Sequence, residues 1–259
     1  MLLHGASSSR RAWSTLLPVL AGRLVVAVDV RGHGESGFPD GPLDRADVSR
    51  DVATVLDDLD IARAAVIGAS LGAALAVNLS AQRPDLVAGL VLEDPPLRAG
   101  TEPASYVQEM RHNLSRAAAL TPAQLLDEVR RAMPEASEDA VRIVAEDRAK
   151  FDPRFVEYGL DWFVRPWRRV FAEAPFRITV LAGDPERGSI VTYQEEAECV
   201  RLLGRDEVRR IPGAGHVVRR DAPTPYAQAV VTALEGIDST EEDHAAPGGT
   251  QSGGARPGE

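Results

Sequence analysis

Ser70 stands between Gly68 and Gly72 in the stretch AAVIGASLGAALAV, residues 64–77. Residues 64–68 are apolar with Val and Ile at the centre and predict a short buried strand. Residues 71–82 are rich in Ala and Leu, are closed by Arg83-Pro84, and predict a helix. A strand that turns straight into a helix strains the backbone of the junction residue and demands small residues two places to either side. It also lifts the junction hydroxyl off the sheet toward a helix N-terminus, whose free N–H groups stabilise a negative oxygen. Ser70 is therefore placed to act as a nucleophile, although the same pattern also serves a turn whose small residues are there for packing alone. A serine hydroxyl needs a base, and the base needs an orienting carboxylate. Of the five histidines, His216 in IPGAGHVV follows the last strand candidate in a glycine-rich loop, and it is the expected base. His4 and His33 follow the first two strand candidates and are expected to shape turns. His112 is expected on a helix, packed or exposed, and His244 in a tail without function.

The elements that must position these residues alternate along the chain. Strands are predicted at 1–4, 23–30, 64–68, 86–94, 177–183 and 207–213. Between the second and third, Val48, Val52, Val55, Leu56 and Leu59 share one face of an amphipathic helix. Near-continuous apolar strands alternating with helices argue for a parallel sheet covered on both sides, an α/β fold. From Pro95 to Pro175 the alternation breaks, and helices are expected around 103–117, 122–132, 137–149 and 153–171. This segment holds most of the aromatic residues. A helical excursion there lands over the carboxyl ends of the strands, where ligands bind in such folds. It is read as a cap over residues 95–175, inserted into a core formed by 1–94 and 176–236. Most of its aromatics would fasten cap to core, and Trp162 and Trp167 are the candidates to contact a substrate.

The 259 residues are 44% hydrophobic and 26% charged, an ordinary globular composition. A net charge of -10 gives no bulk attraction for nucleic acid or acidic membranes. One cysteine, Cys199, excludes an internal disulfide and a thiolate metal cluster. Lys150 is the sole lysine against many arginines, which reads as codon bias of a GC-rich genome. No apolar run reaches membrane-spanning length and no signal peptide is visible, so a cytoplasmic location is expected. Residues 237–259 are polar and rich in Gly, Pro and acid, and are expected to be a disordered tail.

Taken together, LLHGASSSRRAW, DVRGHGES (29–36), GASLG (68–72), LVLEDPP (90–96), VLAGD (180–184) and IPGAGH (211–216) resemble the α/β-hydrolase superfamily, in that family's order, from residue 1 to about 236. The resemblance implies a mostly parallel, doubly wound sheet with an inserted helical cap. It implies Ser70 as nucleophile, His216 as general base, and an oxyanion hole formed by the backbone N–H groups of Ala6 and Leu71. Asp29 and Arg31 match a structural turn. The family usually carries its acid after the strand matching 177–183, where the chain reads GDPERGSIVT. Asp184 at the strand end is the first candidate, Asp94 in LEDPP the second, and Glu186 the third. The sequence departs from the family by having Ala69 before the serine, by the spacing of that loop, and by lacking the two strands that precede LLHG. Residues upstream of Met1 are therefore expected in the gene, and the first strand is otherwise expected to form an exposed edge. The implied activity is hydrolysis of an ester, lactone or related acyl bond of a small, partly apolar molecule, without metal or organic cofactor. Perhydrolysis or carbon–carbon bond hydrolysis on the same residues, and a non-catalytic ligand-binding role, are the alternatives. Neither a nucleic-acid nor a membrane partner is expected, and the oligomeric state is not legible.

Overall fold

The computed structural model describes residues 1–38, 40, 45–97, 112–117, 119–134, 136–155 and 167–245. Among the described residues, six strands form one parallel sheet in the order β2-β1-β3-β4-β5-β6. They are β1 (Leu2–Leu3), β2 (Ala27–Val28), β3 (Ala64–Ala69), β4 (Val87–Glu93), β5 (Arg177–Ala182) and β6 (Val208–Arg210). Side chains alternate between two cores because successive strand residues point to opposite faces. Leu90 and Leu92 join one core and Val91 the other, and all three are fully buried. Helices α1 (Arg45–Asp58) and α2 (Leu71–Gln82) cover the first face, and α8 (Pro223–Ala245) covers the second. The chain leaves β1 toward β2 and returns to β3 on the other side of β1. The point of reversal lies between the carboxyl ends of β1 and β3, where ligands settle in doubly wound sheets.

Several boundaries differ from the sequence expectation. β1 is an inner strand, flanked by β2 and β3, and the sheet edges among the described residues are β2 and β6. β2 itself is two residues long where eight were expected; Leu24 is 80% exposed and has no sheet to pack on. α1 buries Val48, Val52 and Leu56, but it stops at Asp58 and leaves Leu59 exposed. The expected tail from 237 is corrected as far as Ala245, because α8 runs to that residue. Ile237 is buried, and a Cβ added at Gly89 of β4 would lie 2.5 Å from it, so the helix docks where the strand has no side chain. Residues 246–259 lie outside the described residues.

The segment expected to form a cap contains α3 (Pro122–Ala132) and α4 (Glu138–Ala149). Thr121 and Gln124 close a capping box at the start of α3, and the Ser137 side chain accepts the Ala140 N–H at the start of α4. The two helices bury Leu125, Val129, Met133, Val141 and Ala145 in a small core of their own. Residues 112–117 are helical, and the rest of the helix expected at 103–117 lies outside the described residues. α5 (Trp167–Glu173) does not join this small core. Its Trp167, Val170 and Phe171 share one helical face and join the main core, against α2 and α6 (Tyr193–Leu203). Trp167 is therefore a core residue rather than a substrate contact. Its indole stacks edge-on with Phe171 at 5.2 Å. Trp162 lies outside the described residues.

Candidate active site

β3 passes into α2 through Ser70, whose backbone takes φ 51° and ψ −112°. A side chain with φ in this region is strained, and such strain concentrates at functional sites. The flanking glycines are required sterically. A Cβ at Gly68 would lie 2.4 Å from the Gly72 carbonyl oxygen, and one at Gly72 would lie 1.9 Å from that of Leu3. The Ser70 N–H donates to the Glu93 carbonyl at 2.9 Å, which ties the turn to the end of β4.

His216 arrives from the loop after β6. Its Nε2 is 3.1 Å from Ser70 Oγ, and its Nδ1 is 2.7 Å from Oδ2 of Asp94. Asp94 sits at the end of β4 with φ 42° and no exposed surface. Three donors converge on its carboxylate: His216 Nδ1–H, the Ile190 N–H at 2.9 Å, and the Ser189 hydroxyl at 2.5 Å. With Asp94 accepting, His216 carries its proton on Nδ1 and turns an unprotonated Nε2 to the serine. The arrangement can take the Ser70 proton and hold the resulting imidazolium beside a carboxylate.

The first candidate for the orienting acid, Asp184, is not on the imidazole. Pro185 starts a tight turn over Pro185–Arg187, and Asp184 caps it by accepting the Glu186 N–H at 2.9 Å. Glu186 is exposed. The loop instead turns its Ser189 hydroxyl and Ile190 N–H onto the carboxylate of the neighbouring strand. Of the three carboxylates, the geometry brings Asp94 together with Ser70 and His216. The sequence signal for this was the serine of GSIV, a short side chain able to donate to a buried carboxylate.

Gly5 lies against the serine, since a Cβ added there would be 3.5 Å from Ser70 Cβ. Ala6 and Leu71 line the same cavity as Ser70. Among the described residues, neither N–H donates to a protein acceptor, so both are available to an oxyanion. His4 and His33 do structural work. His4 is fully buried, Nδ1–H donating to the Gly5 carbonyl at 2.7 Å and Nε2 accepting the Val30 N–H at 3.0 Å. Burial pushes its pKa down to about 4, and that of His33, packed against Phe151 and Phe155, down to about 3. His112 is exposed on the helical segment 112–117.

A buried ion pair that sequence reading did not single out braces the site. Glu93 precedes Asp94, and Arg219 in α7 (Val218–Asp221) follows His216 by three residues. The Arg219 guanidinium meets Glu93 at 2.9 Å, its N–H donates to the same carboxylate at 3.0 Å, and its Nε donates to the Ala12 carbonyl. Acid strand, histidine loop and the loop after β1 are thereby joined.

Above Ser70 lies a cavity of about 780 Å³. Its floor is the serine turn, His216 and the loop after β1; its roof carries Leu114, with Met133, Ile143 and Val144 from the α3/α4 segment. Volume and apolar lining suit a small organic molecule.

The model of the alpha/beta hydrolase family matches residues 1–229. The chain is 27% identical over 251 residues to the sn-1-specific diacylglycerol lipase ABHD11 of Mus musculus, covering 90% of this chain and 80% of that protein. It is 27% identical over 250 residues to 2-(acetamidomethylene)succinate hydrolase of Mesorhizobium japonicum, covering 91% and 87%. Among solved structures, the M. tuberculosis esterase Rv0045c superposes with a TM-score of 0.73 at 26% identity, covering 90% of this chain and 84% of that one. On the family match over most of its length, and on the sheet, elbow and histidine loop described above, the chain belongs to the alpha/beta hydrolase family.

Proposed function

We propose that this hydrolase cleaves an ester, lactone or related acyl bond of a small, partly apolar substrate, through an acyl-enzyme on Ser70. The observation that carries the reading is the unbroken line Ser70 Oγ, His216 Nε2, His216 Nδ1, Asp94 Oδ2 at the base of the cavity, with spacings of 3.1 and 2.7 Å. Ser70 Oγ bonds to the carbonyl carbon as its proton passes to His216 Nε2. The carbonyl oxygen becomes an oxyanion facing the N–H groups of Ala6 and Leu71. The acyl–oxygen bond then breaks, and the leaving alkoxide takes the proton from Nε2. Water adds to the acyl carbon, giving its proton to Nε2; Ser70 departs and recovers that proton, and the carboxylic acid is released. Asp94 keeps the imidazole in the competent tautomer and balances its charge. The relatives' names, a lipase, an esterase and a hydrolase of an acetamido compound, support hydrolysis and differ in substrate.

A fluorophosphonate probe tests the reading. It is expected to label wild-type protein at Ser70 and to leave Ser70→Ala unlabelled, and p-nitrophenyl esters are expected to turn over only with the serine present. Labelling that persists in Ser70→Ala refutes the assignment.

A further inference from the structure

Among the described residues, the charges around the cavity are not balanced. Four arginines among the described residues line it: Arg11, Arg148, Arg219 and Arg220. Arg11 meets Glu146 at 2.8 Å, Arg219 meets Glu93 at 2.9 Å, and Arg220 meets Asp221 at 3.0 Å. Arg148, in the last turn of α4, is half-buried and has no carboxylate within ion-pair distance among the described residues. Among the described residues, the charges that act on it are two cations, Arg220 and Arg116, and one carboxylate, Glu128. Glu128 is already held by Arg116 at 2.8 Å. Burial and the neighbouring cations accordingly pull the Arg148 pKa below its ordinary value. A guanidinium withdrawn from water without a partner is costly, and most such groups acquire one.

The geometry points to Arg148 as a subsite for a carboxylate carried by the substrate, in the cavity that holds the acyl bond over Ser70. The inference rests on the acyl-hydrolase reading and names its substrate class: acyl compounds with a free carboxylate remote from the scissile bond. A guanidinium fork matches a carboxylate in two parallel hydrogen bonds. The charge count favours a monoanion over a phosphate dianion. Among the described residues one guanidinium is unneutralised, and the cavity also contains the buried carboxylate of Asp147, which Arg11 faces at 3.5 Å. The apolar roof of Met133, Ile143 and Val144 would cover the methylenes between the two ends of such a molecule.

The test uses mono-p-nitrophenyl esters of straight-chain dicarboxylic acids of graded length, each paired with the compound whose free carboxylate is capped as a methyl ester. The measured quantity is the ratio of kcat/KM for the acid to that for its capped partner, taken within each variant so that folding losses cancel. Wild type is expected to favour the acid at one or more lengths, and Arg148→Gln to lower that ratio by about 10- to 100-fold, the range for a hydrogen bond to a charged group. Arg142→Gln, an exposed change on α4, is expected to keep it. No preference in wild type, or one that survives Arg148→Gln, overturns the subsite. Fluorophosphonate labelling of wild type reports separately on the serine. Should labelling and turnover both fail, calorimetric titration with the monomethyl dicarboxylates still decides the subsite. Binding to wild type that weakens at least about tenfold in Arg148→Gln supports it, and equal or absent binding overturns it.

Discussion

Replacing Asp94 by asparagine removes the charge of the carboxylate while nearly keeping its shape, and the surrounding donors determine how the amide sits. Oδ2 accepts the Ile190 N–H and faces His216 Nδ1, while Oδ1 accepts the Ser189 hydroxyl. A backbone N–H cannot reverse, whereas a hydroxyl can rotate. The asparagine oxygen is thus held at the Oδ2 position. Its NH₂ faces Ser189 Oγ, which accepts it and donates instead to the Val191 carbonyl at 3.4 Å. His216 keeps its proton on Nδ1 and its orientation, and what disappears is the countercharge to the imidazolium. Two unit charges about 4 Å apart interact by about 4 kcal/mol at an effective dielectric near 20. That corresponds to about three orders of magnitude in rate. A flipped amide would instead force the proton onto Nε2, facing the serine, and cost about 10⁴-fold. The assay is kcat/KM on a p-nitrophenyl ester, with near-UV circular dichroism to confirm the fold. Asp94→Asn is expected to fall by about 10³-fold. Asp184→Asn and Glu186→Gln are expected to retain wild-type turnover, since neither carboxylate touches His216. A loss of less than about tenfold in Asp94→Asn, or an equal loss in Asp184→Asn, refutes the reasoning.

Gly72→Ala places a methyl 1.9 Å from the Leu3 carbonyl oxygen, so its cost in urea unfolding is expected at or above the top of the ~1–3 kcal/mol seen for overpacking; a neutral change would mean that β1 and α2 can part freely. Trp167→Ala, in the core at 1% exposure, is expected to cost about 3–5 kcal/mol and to leave the ratio of rates across acyl chain lengths unchanged. A shifted ratio with intact stability would return Trp167 to the substrate pocket. His4 and His33 are held neutral, with pKa near 4 and 3 in the fold against about 6.5 when unfolded. Below pH about 6.5 the unfolded chain binds protons that the fold refuses, so stability is full above that pH and declines as pH falls toward 4, by up to about 1.4 kcal/mol per unit for each imidazole. Urea titrations at pH 7, 6 and 5 measure this, and His33→Leu is expected to flatten the slope; an unchanged slope would show that His33 is not the group responsible.

What the sequence determines by itself here is local and periodic. The glycines at 68 and 72, the apolar run before Ser70 and the alanine-rich run after it specify a strand–turn–helix, because only small residues fit that junction. The alternation of strands and helices specifies the parallel sheet, and the capping residues Thr121 and Ser137 mark the starts of α3 and α4. His216 is legible from its glycine-rich loop after the last strand. Which carboxylate meets His216 is not, because Asp94 and Asp184 both end neighbouring parallel strands, and both ends reach the same edge of the sheet. Only the three-dimensional path of the loop, which caps its turn with Asp184 and aims Ser189 and Ile190 at Asp94, decides between them. The same holds for Trp167, whose aromatic bulk signals burial but not which layer buries it. It holds too for Ile237, which reads as the edge of a polar tail until Gly89 of a distant strand opens a place for it. Propensity and spacing act over a few residues along the chain, whereas the carboxylate that meets His216, the core helix and the surroundings of Arg148 are each defined by contacts between segments far apart in sequence.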